Sequence, residues 1–139
     1  MERITNIFKE ENFVLREYDS SKNVFKPTNR IELNVIDQSK IIILSVNMQG
    51  EDSPTFVEAV LKLPEGYVGE VLFNVEAIGE AKLVCMDLST KPYQIGKDVR
   101  LYSGTDSVSL NLKNDEYIFF KFTYYTNYDR AGTIKITCI

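Results

Sequence analysis

Residues 108–122 read VSLNLKNDEYIFFKF, and this stretch decides the fold class. In its first part, Val108, Leu110 and Leu112 alternate with polar residues, which is the period-two pattern of a strand buried on one face. Residues 113–115 are typical of a turn, and apolar residues resume at Ile118 and Phe120. Because β-branched and aromatic side chains suit a pleated sheet, the stretch predicts two consecutive strands joined by a short connection.

The same alternation runs through most of the chain from residue 31 onward, with turn-forming residues at short intervals. No window of about a dozen residues keeps the apolar stripe of an amphipathic helix. Short strands with frequent turns predict an all-β protein, an antiparallel β-sandwich that is jelly-roll-like. Further strand positions that carry the alternation are Ile31, Leu33, Val35, Ile42, Leu44, Val46, Val57, Ala59, Leu61, Leu63, Val71, Phe73, Val75, Ile134 and Ile136.

The last part of the chain combines alternation with turns at 108–112, 114–119 and 132–136. This arrangement resembles the last strands of jelly-roll modules that are appended to hydrolases and phage fibres. The resemblance is limited to the pattern and names no family. What it implies is the jelly-roll form of the sandwich.

The first 25 residues differ from the rest, because acidic residues interrupt a thin apolar set. Residues 20–23 and 26–29 have the composition of loops, and Pro27 favours a break before the first strong strand. We therefore predict an N-terminal arm or edge strands over residues 1–25 and a β-sandwich domain over residues 26–139.

The charge balance argues against a nucleic-acid partner. Sixteen basic and twenty acidic residues give a net charge of -4, and the basic residues are dispersed along the chain. Nucleic-acid binding takes most of its affinity from Lys and Arg on phosphates. We therefore expect no nucleic-acid partner.

The chain contains no histidine, which removes His-based nucleophile systems, His-ligated metals and an imidazole acid or base. Its two cysteines, Cys85 and Cys138, are too few for a zinc site. Accidental carboxylate pairs exist among twenty acidic residues, but a small sandwich has little room for a deep cleft. The sequence thus predicts a protein that is not an enzyme and has no cofactor or metal.

The first residues lack the basic start and apolar stretch of a secretory signal, and the longest aliphatic run, 41–44, is far too short to span a bilayer. We expect cytoplasmic synthesis and no membrane partner. A virus particle is one alternative for the final location of the protein.

Several strands are apolar on both faces, although a two-layer sandwich needs only one apolar face per strand. Ile41 and Ile43 oppose Ile42 and Leu44, and Tyr117 and Phe119 oppose Ile118 and Phe120. We predict that Ile41, Ile43, Tyr117 and Phe119 form one protein interface. Residues 1–25 of the same chain or a partner protein would cover it, and the two alternatives can coexist.

Two functions remain. The first is a non-catalytic interaction module, an assembly component of a larger particle such as a virus or phage, with protein partners or further copies of itself. The alternative is a carbohydrate-binding module with a tyrosine-based glycan site. Its candidate residues are Tyr125, Asn127, Tyr128 and Asp129, which combine ring faces with hydrogen-bonding groups.

Overall fold

The computed structural model describes residues 5–50, 53–78, 84–92, 97–101, 104–114, 116–123 and 131–139. Within these ranges the secondary structure is a single 3₁₀ turn (Glu10–Asn12) and eleven strands. The strands are β1 (Phe13–Asp19), β2 (Val24–Pro27), β3 (Ile31–Ile36), β4 (Ile41–Asn47), β5 (Phe56–Lys62), β6 (Val68–Ile78), β7 (Val84–Ser89), β8 (Lys97–Leu101), β9 (Thr105–Lys113), β10 (Tyr117–Thr123) and β11 (Ala131–Cys138).

The strands form two antiparallel sheets, which confirms the predicted all-β sandwich. The six-stranded sheet has the order β2-β1-β5-β10-β7-β8, and the five-stranded sheet has the order β3-β4-β11-β6-β9. From β4 to β11 the chain passes between the sheets at almost every connection, and only β7 and β8 are consecutive strands in one sheet. The resulting sheets of four, β4-β11-β6-β9 and β5-β10-β7-β8, have the jelly-roll arrangement.

The connections between the sheets are short and carry the residues that such turns require. Residues 64–67 link β5 to β6, and the Tyr67 amide donates to the Pro64 carbonyl at 3.4 Å. Gly66 has φ +82°, the left-handed conformation that glycine adopts without steric cost at the third position of a type II turn. Asn114, between β9 and β10, also lies in the left-handed region, which Asn tolerates better than most residues.

The core lies between the two sheets. It consists of the alternate residues of each strand whose side chains point toward the opposite sheet. Its largest fully buried side chains are Phe8, Phe73, Phe120, Phe122, Ile42, Leu44, Met48, Leu61, Met86, Leu88, Leu112 and Ile118. Burial of a large apolar side chain contributes about 1.5–3 kcal/mol, so this set accounts for most of the stabilisation of the fold.

The N-terminal segment is an integral part of the sandwich. β1 pairs with β5 along six residue positions and β2 pairs with β1, so the predicted boundary between residues 25 and 26 falls inside β2. Upstream of β1, the Phe8 side chain is fully buried, and its ring centroid lies 5.6 Å from that of Phe73. The Phe8 amide donates to the Ser39 carbonyl at 3.0 Å, which fixes the segment against the β3–β4 turn. The N-terminal segment therefore places the Phe8 side chain in the core between the two sheets.

Burial makes the thiol of Cys138 unreactive. The side chain points into the core from β11, and burial raises the pKa of the Cys138 thiol to about 11. Only the thiolate is nucleophilic, so we expect the native Cys85→Ser variant to react with a disulfide reagent at pH 8 at least tenfold more slowly than the same variant in urea. Equal rates in the two states would show that the C-terminal end of β11 opens readily.

Candidate functional site: an aromatic sheet face

The outward-facing surfaces of the two sheets differ in chemistry. The outer surface of the five-stranded sheet is mostly polar, with Glu32, Asn34, Ser45, Glu70, Asn74, Glu76, Ser107, Ser109, Asn111, Thr133, Lys135 and Thr137 at outward positions. The outer surface of the six-stranded sheet carries a group of rings instead. We call it the aromatic face and define it by Tyr18, Phe25, Phe56, Tyr117, Phe119, Arg16, Glu58 and Lys121.

Strand register arranges the aromatic face in rows that cross the strands. Arg16, Glu58, Lys121 and Asp87 occupy neighbouring positions on β1, β5, β10 and β7, so charges of alternating sign form one row. The row on one side contains Val14, Val60 and Phe119, and the row on the other side contains Phe25, Tyr18 and Phe56. A polar row is thus flanked by two apolar rows.

The centre of the polar row is an ion pair between Arg16 and Glu58. Arg16 Nε donates to Glu58 Oε1 at 2.6 Å, and Arg16 Nη2 lies 2.6 Å from the same oxygen. The Glu58 side chain is only 5% exposed, whereas that of Arg16 is 27% exposed. The guanidinium lies 3.8 Å from the centroid of the Phe25 ring, a cation–π contact that holds its plane in place. The guanidinium of Arg16 is therefore held both by the Glu58 carboxylate and by packing against the Phe25 ring.

The rings of the aromatic face pack against one another. The Tyr18 ring lies 4.9 Å from Phe25 and 5.1 Å from Phe56, and the Tyr117 ring lies 5.9 Å from Phe119. The Tyr18 hydroxyl donates to Asn23 Oδ1 at 2.5 Å. These contacts restrict the rotamers of the rings, so a ligand would meet a surface that is already ordered.

A shallow depression of about 40 Å³ lies on this face. Its lining combines three phenylalanine rings with hydrogen-bonding groups, namely Arg16, Phe25, Phe56, Glu58, Ser89, Lys91, Phe119 and Lys121. The Lys121 ammonium lies 5.0 Å from the centroid of the Phe56 ring. Apolar walls with a few convergent polar groups are the usual composition of a small-molecule site. A depression of about 40 Å³ holds little more than one water, so a ligand would lie across the face and not inside the depression.

The four residues predicted to form one interface lie on opposite sides of the molecule. Ile41 and Ile43 are on the outer surface of the five-stranded sheet, and Tyr117 and Phe119 are on the aromatic face. The prediction of one shared surface is wrong, because β4 and β10 belong to different sheets and period-two alternation cannot tell which sheet a strand joins.

Phe119 is 6% exposed and Val60 is 7% exposed, although both point away from the core. Their cover comes from other side chains of the same chain, among them Arg16, whose guanidinium lies 6.0 Å from the Phe119 ring centroid. Ile41 and Ile43 are half-buried, and Ile36, which is paired with Ile41 across the strands, is 37% exposed. Contact of these residues with another protein stays a prediction.

The glycan-site candidates Tyr125, Asn127, Tyr128 and Asp129 lie outside the described residues, between β10 and β11. The structure instead identifies Arg16, Phe25, Phe56 and Glu58, which the sequence analysis did not select. A usable signal existed for two of them. Arg16 directly follows the apolar run Phe13–Leu15, and Glu58 interrupts the apolar run from Val57 to Val60. A charge that is buried at such a position needs a partner.

A larger cavity of about 510 Å³ lies at one end of the five-stranded sheet. It is lined by Asn29, Arg30, Glu32, Ser45, Val46, Asn47, Ile78, Ala131, Gly132 and Thr133, with no ring among these described residues. Arg30 Nη1 donates to the Gln49 carbonyl at 3.0 Å, so the guanidinium serves the local backbone. The cavity lacks the aromatic walls of the depression on the aromatic face.

In the described ranges, no group of three or more Cys, Asp or Glu residues is placed to hold a metal ion. No helix there is long and apolar enough to cross a membrane.

Comparison with known proteins assigns no family. No family model matches the chain, and no curated protein matches it. Among solved structures, one described as "CBM4 structure and function" superposes with a TM-score of 0.46 at 13% identity, covering 93% of this chain and 93% of that chain. The N-terminal cellulose-binding domain of Cellulomonas fimi β-1,4-glucanase C gives a TM-score of 0.45 at 14% identity, covering 96% and 89%. Drosophila melanogaster CENP-C bound to CAL1 gives 0.30 at 8%, covering 81% and 79%. At these values the likenesses assign neither a ligand nor an activity.

Proposed function

We propose that this protein is a non-catalytic carbohydrate-binding module and that the aromatic face is its binding surface. The observation that carries the proposal is the depression in which rings, a carboxylate and cations converge. A sugar ring has an apolar C–H side that packs on aromatic rings and a rim of hydroxyl groups that both donate and accept hydrogen bonds. The depression offers a counterpart to each of these features.

The polar row provides the acceptor and the donors. Both described contacts of Arg16 with Glu58 fall on Oε1, so Oε2 remains able to accept a hydrogen bond from a sugar hydroxyl. The Lys121 ammonium can donate to a neighbouring hydroxyl. Because the ion pair already fixes the carboxylate, binding would require little ordering of side chains.

The proposed module is non-catalytic because the described lining of the depression contains one carboxylate and not two. Most glycoside hydrolases use two carboxyl groups that flank the scissile bond, about 5–10 Å apart. Glu58 is the only carboxylate among the described lining residues, and it is held in an ion pair with Arg16. This arrangement supports binding and lacks the second carboxylate of that mechanism.

The Phe56→Ala variant tests the proposal, because it removes a half-buried ring from the depression without opening the core. We expect at least a tenfold loss of affinity, about 1.4 kcal/mol, for the polysaccharides that the parent protein retains in affinity gel electrophoresis. The panel should include soluble neutral and acidic polysaccharides. Leu72→Ala is the matched control, since Leu72 is half-buried on the outer surface of the opposite sheet.

Two results would count against the proposal. One is retention of the parent protein by no polysaccharide in a broad panel. The other is an equal effect of Phe56→Ala and Leu72→Ala in variants whose circular dichroism spectra match that of the parent.

Assembly through protein contact is a second candidate, supported by the apolar corner formed by Ile36, Ile41 and Ile43 at the β3–β4 turn. Sedimentation of the parent and of Ile43→Ser would test it, with a concentration-dependent oligomer expected for the parent alone. The predicted role in a virus or phage particle and the predicted site of synthesis stay predictions.

A further inference from the structure

Resting on the proposed function, we infer that the glycan bound on the aromatic face is anionic, with carboxylate or sulfate groups on its sugar units. The inference comes from the excess of positive charge around the depression. Its lining includes Arg16, Lys91 and Lys121 against the single carboxylate of Glu58. This excess runs against the composition of the chain, whose net charge is -4.

Of the three cations in the lining, Arg16 has a carboxylate partner among the described residues, and Lys91 and Lys121 do not. Glu58 neutralises Arg16 at 2.6 Å. Among the described residues, neither Lys91 nor Lys121 lies within 4.0 Å of a carboxylate oxygen, and the described contact of the Lys121 ammonium is with the Phe56 ring. Asp87 is the cross-strand neighbour of Lys121 and has an interaction of its own. Even with Asp87 counted, the cations outnumber the carboxylates.

Among the described strand residues, the outer surfaces of the two sheets differ in charge balance. Lys62, which is exposed, extends the excess of positive charge along the aromatic face beside Tyr117. The outer surface of the five-stranded sheet has the opposite balance, with outward Glu32, Glu70 and Glu76 against Lys113 and Lys135. The described outward charges thus give an excess of cations on the aromatic face and a small excess of carboxylates on the opposite sheet.

The position of the two ammonium groups suits an acidic sugar. The Lys121 ammonium lies 5.0 Å from the centroid of the Phe56 ring, so a sugar that contacts the exposed part of that ring would place a substituent near the ammonium. Charge-assisted hydrogen bonds between ammonium and carboxylate or sulfate are about twice as strong as neutral ones, and the apolar walls reduce solvent screening. A neutral glycan would leave both ammonium groups unpaired.

Matched ligand pairs test the inference by calorimetric titration. Oligogalacturonate is compared with its methyl ester, which keeps the backbone and removes the charge, and dextran sulfate is compared with dextran. We expect the acidic member of at least one pair to bind at least tenfold more tightly, and the pair that shows the preference identifies carboxylate or sulfate as the group. The preference should shrink as salt is raised from 0.05 to about 0.5 M, because screening weakens exposed charge interactions.

Variants test whether the preference for the acidic glycan depends on Lys91 and Lys121. The Lys91→Gln/Lys121→Gln double variant should lose it, whereas Lys40→Gln, which removes an exposed cation at the β3–β4 turn, should keep it. Equal affinity for the charged and neutral members, or a preference that survives in the double variant, would overturn the inference. Phe56-dependent binding of neutral glycans would in that case still stand, whereas absence of binding to every glycan would remove the proposed function as well.

Discussion

Phe8→Ala is expected to lower the free energy of unfolding by about 3–5 kcal/mol, the usual cost of deleting a buried ring. Phe8 is fully buried, and its ring centroid lies 5.6 Å from Phe73 and 6.2 Å from Phe120, one ring from each sheet. The substitution would leave a cavity between the sheets that these neighbours cannot fill. Urea unfolding followed by circular dichroism measures the loss, and the midpoint of thermal unfolding should fall by roughly 10–20 °C.

Val14→Ala is the control for this experiment. Val14 lies only six residues further along the N-terminal segment but is 59% exposed on the aromatic face, so its truncation should cost less than about 1 kcal/mol. If Phe8→Ala also costs less than 1 kcal/mol, the N-terminal segment is a dispensable arm, and its burial in the core does not stabilise the fold.

Arg16→Met is expected to destabilise the protein by about 3 kcal/mol, because it leaves the Glu58 carboxylate without its partner at a position where only 5% of the side chain is exposed. The partial exposure of Arg16, 27%, places the effect near the lower limit for breaking a buried ion pair. The measurement is again urea unfolding at neutral pH and low salt.

The Arg16→Met/Glu58→Met double variant separates the loss of the pair from the cost of an unpaired charge. Two apolar side chains of similar volume should recover most of the stability, since the desolvation cost disappears with both charges. Glycan binding should be weakened in Arg16→Met and in the double variant alike, because neither retains the Arg16–Glu58 pair that lines the depression. Lys26→Met is the matched control: Lys26 is 59% exposed and 3.9 Å from Glu17, so its loss should cost at most about 1 kcal/mol. A similar small cost for Arg16→Met would show that the Arg16–Glu58 pair behaves as an ordinary surface ion pair.

The fold class was predictable because period-two alternation is a local property of each strand. Val108, Leu110 and Leu112 were expected to share one face, and they do. The turns were equally local, as Gly66 and Asn114 show by their positive φ angles. Pairing between strands is different, because it joins residues far apart in the chain: Arg16 and Glu58 are 42 positions apart.

The candidate site depends on this pairing, so alternation alone could not locate it. Tyr117 and Phe119 were correctly singled out as apolar residues on a second face, but their neighbours there come from β1, β2 and β5. Phe25 meets Arg16 only because β2 pairs with β1 in one particular register. A one-residue shift of that register would turn Phe25 toward the other side of the sheet.

The placement of β11 has a consequence for how the protein is made. β11 is the last of the eleven described strands in chain order, yet it lies in the middle of its sheet, with β4 on one side and β6 on the other. Until the ribosome has extended the chain past residue 138, β4 and β6 each expose a full row of unpaired amide and carbonyl groups. The five-stranded sheet is therefore completed only after β11 has been synthesised, and until then these two open edges are the positions where another chain could pair.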